Sequence, residues 1–177
     1  EFVEPGELGL TKTMSIPGEQ VRSITGYAEE QTITIRANIY DVPGNETIGA
    51  ESTTELTIEE TSPSITYVSY RSNFSDTTLA TVGHEITVTL RLNEPIQNPT
   101  ATISSNTANI IDLGDNAWHC KYEMQDSDSD GIIPFQIGEI RDIAGNPTAG
   151  TETTTDGSTV VFDNTKPTLD PVRIRSS

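Results

Sequence analysis

The chain has 177 residues, 33% of them hydrophobic, and its 27 acidic side chains outweigh 10 basic ones for a formal net charge of −17. Phosphate recognition needs clustered Lys and Arg, so this balance argues against a nucleic-acid partner and against docking on anionic lipid. No apolar run reaches the length of a membrane span, so direct membrane insertion is not expected.

The low apolar fraction favours a thin β-sandwich over a thick core, and abundant Thr, Ile and Val lean the same way. An acidic, Thr-rich surface suits a secreted, cation-rich setting. No signal peptide is seen, so an export signal or anchor is expected outside these residues. The one cysteine, Cys120, cannot form an internal disulfide.

In chain order, Ile33, Ile35, Ala37 and Ile39 alternate with polar residues and predict a strand. It leads into Asp41-Val42-Pro43-Gly44-Asn45, a tight turn in which Asp accepts from backbone N–H groups while Gly and Asn tolerate positive φ. A Thr-rich stretch then runs to Thr61-Ser62-Pro63. Strands follow at 66–70 and 86–92, where Ile86, Val88, Leu90 and Leu92 alternate with Thr and Arg. Trp118, Cys120, Tyr122 and Met124 mark another, and Ile133, Phe135 and Ile137 a further one. Parity slips after Ile137, which places a β-bulge at Gly138. Asp142-Ile143-Ala144-Gly145-Asn146 repeats the tight turn, and Val160 and Phe162 lie in a last strand. No segment shows sustained helical periodicity.

These elements form an internal repeat. The turn at Asp41, Gly44 and Asn45 returns at Asp142, Gly145 and Asn146. Thr61-Ser62-Pro63 returns as Thr165-Lys166-Pro167, and Val68-Ser69-Tyr70-Arg71-Ser72 as Val172-Arg173-Ile174-Arg175-Ser176. Proline fixes φ and restricts its predecessor, so each junction reads as a short, semi-rigid hinge. On this reading residues 1–61 are the C-terminal part of one repeat, 62–165 a complete repeat and 166–177 the first strand of a third. The first repeat lacks the equivalents of strands 66–70 and 86–92. Its core and edges must therefore be completed by other residues, by a neighbouring chain, or by remodelling of residues 1–20.

The middle repeat resembles the bacterial-type immunoglobulin-like repeats found in tandem in large surface and secreted proteins. The likeness rests on Val82-Gly83-His84-Glu85-Ile86-Thr87-Val88-Thr89-Leu90, Asn93-Glu94-Pro95-Ile96, Trp118 ahead of Tyr122-Glu123-Met124, and Asp126-Ser127-Asp128 with Pro134-Phe135. It continues through Asp142-Ile143-Ala144-Gly145-Asn146 and Phe162-Asp163-Asn164-Thr165-Lys166-Pro167. It covers nearly all of residues 62–170, but only the second half of 1–61. The resemblance implies an all-β, immunoglobulin-like sandwich used as a spacer or adhesive module, with no catalytic residues. Three departures stand out: Cys120 where a small residue is common, Gly138 lengthening a strand, and Asp130 where Glu or another polar residue is frequent.

The stretch Asp126-Ser127-Asp128-Ser129-Asp130-Gly131 has the spacing that opens an EF-hand calcium loop. The twelfth position, normally a bidentate Glu, is Ile137, and strands rather than helices flank it, so an EF-hand is rejected. Calcium held by Asp126, Asp128 and Asp130 in another geometry stays open, beside a solvated loop whose charges block edge pairing. His119 and Cys120 are a Cys–His pair in sequence only, because strand neighbours point to opposite faces; no enzyme is expected. Asn45-Glu46-Thr47 and Asn73-Phe74-Ser75 match the glycosylation triplet. Asn45 is engaged by the turn, which makes Asn73 the better acceptor.

Three functions follow as expectations. The first is a structural or adhesive spacer of a long extracellular or cell-surface protein, with neighbouring repeats as its partners. The second is a filament subunit in which identical chains complete one another by strand addition. The third is a glycan- or ligand-binding module using Tyr27, Tyr67 and Tyr70.

Overall fold

The computed structural model describes residues 15–171 and Arg175. The protein is nearly all β, with 41% strand and 3% helix; its strands form several sheets, and among the described residues they close no barrel. It divides into two compact units, Glu1–Glu60 and Thr61–Ser177. Among the described residues no helix is long and apolar enough to cross a membrane.

Among its described residues the first unit contains a helical turn, α1 (Gly18–Arg22), and four strands: β1 (Thr32–Ile33), β2 (Arg36–Tyr40), β3 (Glu46–Glu51) and β4 (Leu56–Thr57). β1 pairs with β4 and β2 with β3, both antiparallel. The strand expected across Ile33–Ile39 is therefore broken. At the break, Ile35 N–H donates to Ser52 Oγ at 3.1 Å and the Ile35 carbonyl accepts from Ser52 N–H at 2.7 Å. A serine side chain replaces one ladder partner, which ends regular pairing. None of the described residues of this unit is buried.

Among the described residues the second unit contains twelve strands, and every buried apolar residue lies in it. These are β5 (Ile65–Ser72), β6 (Leu79–Ala80), β7 (Glu85–Leu92), β8 (Ala101–Ile103), β9 (Asn106–Thr107), β10 (Asn109–Gly114), β11 (Ala117–Glu123), β12 (Gly131–Ile132), β13 (Phe135–Ile137), β14 (Ile140–Arg141), β15 (Pro147–Thr148) and β16 (Val161–Phe162). One antiparallel sheet has the order β10-β11-β7-β5. Its register sets Leu90 between Val68 and Trp118, and Val88 between Tyr70 and Cys120, so the period-two apolar residues of three strands share one face. They join Ile103, Ile133, Phe135, Ile137, Ile140, Val160 and Phe162 in one hydrophobic cluster. The rings of Tyr70 and Phe135 lie 5.2 Å apart within it, and Tyr70 OH donates to the Ile133 carbonyl at 3.2 Å.

The single strand expected over Ile133, Phe135 and Ile137 is interrupted: β12 ends at Ile132 and β13 begins at Phe135. β12 pairs with β16 while β13 pairs with β8. Pro134 stands between them and has no N–H to continue a ladder. Its carbonyl accepts from Ser104 N–H at 2.8 Å, whereas Ile133 N–H still donates to Val160 O at 2.9 Å. The chain changes partner at the proline. At Gly138 a Cβ would lie 2.4 Å from Thr100 Oγ1, so close approach selects the glycine that separates β13 from β14.

The outer edge of β5 is sealed by hydroxyls. Val68 N–H donates to Thr155 Oγ1 and Tyr70 N–H to Ser158 Oγ, each at 3.0 Å. Of the third-repeat strand expected over 166–177, residues 166–171 carry no strand, and residues 172–174 and 176–177 lie outside the described residues.

Truncating Leu90, fully buried at the centre of the sheet, removes contacts that the surroundings only partly recover. The Leu90→Ala protein is expected to lose about 2–5 kcal/mol, read as a lowered urea midpoint of the fluorescence of Trp118, the single tryptophan.

Candidate functional site

The acidic loop joins β11 to β12, and its three carboxylates face two ways. Asp128 turns back onto its own side of the unit. Its Oδ2 accepts from Gln125 N–H at 2.7 Å. Its Oδ1 accepts from Ser104 Oγ at 2.8 Å, Asn106 Nδ2 at 3.2 Å and Tyr122 OH at 3.4 Å. Ser104 and Ser105 carry positive φ in the two-residue turn between β8 and β9, and this brings Asn106 to the carboxylate. Burial, and then the Asp128 charge, push the Tyr122 phenol above its ordinary value.

Asp126 and Asp130 hold the chain leaving β16. Asp126 Oδ1 accepts from Asn164 Nδ2 at 2.8 Å. Asp130 accepts from Asn164 N–H through Oδ1 and from Thr165 Oγ1 through Oδ2, each at 2.7 Å. These bonds favour the ionised form, and the Thr165 hydroxyl does most to hold the Asp130 carboxyl below its ordinary value. Calcium needs six to eight converging oxygens. The carboxylates of Asp126, Asp128 and Asp130 are instead engaged by the protein donors just described, Asp128 on one side and Asp126 and Asp130 on the other. The loop acts as a tie between the β8–β9 turn and the exit of β16. Its partners Ser104 and Asn106 carry no local sequence signal; Asn164 and Thr165 stood in the Phe162–Pro167 motif, but not as partners of the loop.

The two D-x-x-G-N segments form one and the same turn. Asp41 Oδ1 accepts from Asn45 N–H and Oδ2 from Asn45 Nδ2, both at 2.7 Å. Asp142 Oδ1 accepts from Asn146 N–H and Oδ2 from Asn146 Nδ2, both at 2.8 Å. Gly44 and Gly145 have φ of +98° and +102°, the left-handed region that favours glycine. Tyr40 pairs with Glu46 and Arg141 with Pro147, so both members recur 101 residues on. A Cβ on Gly49 would strike the Ala37 carbonyl oxygen, and one on Gly150 the Ile137 carbonyl oxygen. The surroundings differ: Asp41 is exposed, while Asp142 is buried and its carbonyl accepts from Gln97 Nε2 at 3.0 Å.

Elsewhere the singled-out residues separate. Cys120 lies in the core, and burial pushes its thiol up to about 11. His119 lies on the opposite face of β11, its pKa lowered by burial and then by the charges of Lys121, Arg71 and Arg91. They do not form a nucleophile–base pair. Asn73 is exposed, its Oδ1 accepting from Glu85 N–H at 3.0 Å. The Asn45 side-chain amide is spent on Asp41. Tyr70 is buried and so is not an exposed aromatic; Tyr67 OH donates to Asp156 Oδ2 at 3.1 Å, and the Tyr27 hydroxyl is shielded from water.

No family model, curated protein or solved structure matches the chain. The functional reading therefore rests on its own residues.

Asp41, Asp130 and Asp156 share one electrostatic signature: hydrogen bonds depress each folded-state pKa. The native form binds fewer protons than the unfolded form, so the stabilisation is present above the unfolded carboxylate value of about 3.9 and is lost as pH falls through the folded values. The melting temperature of Asp130→Asn is expected to fall less steeply than that of wild type below about pH 4. Because the loop carboxylates already have donors, millimolar calcium is expected to leave the melting temperature where a chelator leaves it. A rise would show that the loop reorganises around the ion.

Proposed function

We propose that the chain is a segment of tandem immunoglobulin-like β-sandwich repeats, one complete and one partial, and that it serves as a structural or adhesive spacer of a long extracellular or cell-surface protein. The observation that carries this reading is the return of one hairpin, with its Asp–Asn turn, glycine φ and close backbone approach, in two separate units. Repetition of a whole structural part is how stacked modules build length. The second unit supports it by burying a complete core. No catalytic group is assigned, since Cys120 and His119 lie on opposite faces of their strand.

A filament subunit completed by strands from another chain is the second reading. It is favoured by Ile35 and Ile39, which are exposed in the first unit.

The spacer reading is tested on intact producing cells. Antibody against the second unit is expected to label them, and protease added outside is expected to remove the epitope. An epitope that survives until the cells are opened would overturn the reading.

A further inference from the structure

The two units allow a position-by-position comparison of one layer with and without its cover. In the second unit Ile133 N–H donates to Val160 O; in the first, Ile33 pairs with Leu56. That register matches Ile33 to Ile133 and Leu56 to Val160, and two residues further along the sequence matches Ile35, just past β1, to Phe135 and Ile58, just past β4, to Phe162. The shared hairpin matches Ile39 to Ile140, since Ile39 pairs with Thr47 and Ile140 with Thr148. Ala37 then stands where Ile137 does. All six positions are buried in the second unit, and none is buried in the first. Ile140 is 1% exposed and Ile39 61%; Phe135 is 7% exposed and Ile35 47%.

In the second unit these positions join one cluster with Val68, Tyr70, Val88 and Leu90 of β5 and β7. The cover is thus an antiparallel pair with an apolar side chain at every second residue. We propose that the first-unit face of Ile33, Ile35, Ala37, Ile39, Leu56 and Ile58 is a docking surface for an antiparallel β-sheet of that build. The inference rests on reading the first unit as a partial repeat and adds to it the face, the residues and the kind of partner. Ile35, Ile39 and Leu56 are exposed and Ile33 and Ile58 half-buried, and covering them is favoured at about 25 cal/mol per Å2 of apolar surface removed from water. Among the described residues a second copy offers no free sheet of this kind, because the apolar side chains of its own β5 and β7 are buried in its second unit.

Ile48 supplies an internal control. It pairs with Asn38 and shares the face on which Asn38 Nδ2 and Tyr40 OH donate to Glu46 Oε1, opposite to Ile39. It is also 61% exposed. The buried Cys120 keeps the background thiol silent. The full-length chain carrying Ile39→Cys or Ile48→Cys is labelled with a maleimide, with and without a synthetic hairpin of residues 65–92. A second form joins a further copy of residues 62–124 ahead of the full chain, in case the free hairpin associates with itself. Labelling of Ile39→Cys is expected to slow about tenfold or more with the added sheet, and that of Ile48→Cys to stay unchanged. Unchanged labelling of Ile39→Cys in both forms overturns the proposal, as does equal slowing at both positions. Slowing at Ile39→Cys that rises with protein concentration and needs no added sheet would assign the face to a second copy and also overturn it. The assay uses purified protein, so its outcome is independent of whether cells display the chain.

Discussion

The second unit depends on β7. Its Ile86, Val88 and Leu90 are fully buried, and it is hydrogen-bonded to β5 on one side and to β11 on the other. With a third of the chain hydrophobic, a core has to be built from alternate residues of a few paired strands. β7 places its own apolar side chains between those of its neighbours in register. The short strands then need only contribute one or two residues each, as β13 does with Phe135 and Ile137 and β16 with Phe162. Such strands hold little ladder of their own; the common cluster holds them.

Acidic side chains do the joining that longer strands would otherwise do. Asp128 fastens the β8–β9 turn, while Asp126 and Asp130 fasten the chain after β16. Each carboxylate meets hydroxyl, amide or backbone donors, so the loop spreads its charge over neutral partners. This is one way for a chain with 27 acidic residues to stay folded without matching cations.

Much of this was legible in the sequence. Period-two alternation located β7 and β11, and the two turns were readable because Asp, Gly and Asn encode them within five residues. Other features depend on residues far apart in the chain. The acidic loop reaches partners 22 to 38 residues away, and its spacing alone fits a metal loop as well as a tie. Alternation at Ile33–Ile39 marked the apolar residues but gave no sign of the break between β1 and β2 or of what covers those side chains. Pro134 was visible, yet its effect, a change of partner between β12 and β13, follows from where β16 and β8 lie.

The Asp–Asn turn forms the same bonds whether its aspartate is exposed, as at Asp41, or buried, as at Asp142. Its shape is therefore fixed by its own five residues rather than by the core around it. A chain of similar modules faces a kinetic hazard, since a strand from one can pair with the matching strand of its neighbour. A corner that closes locally commits its two flanking strands to each other before distant competitors arrive, because short loops close fastest. The turn thereby protects the order of assembly as well as the finished shape.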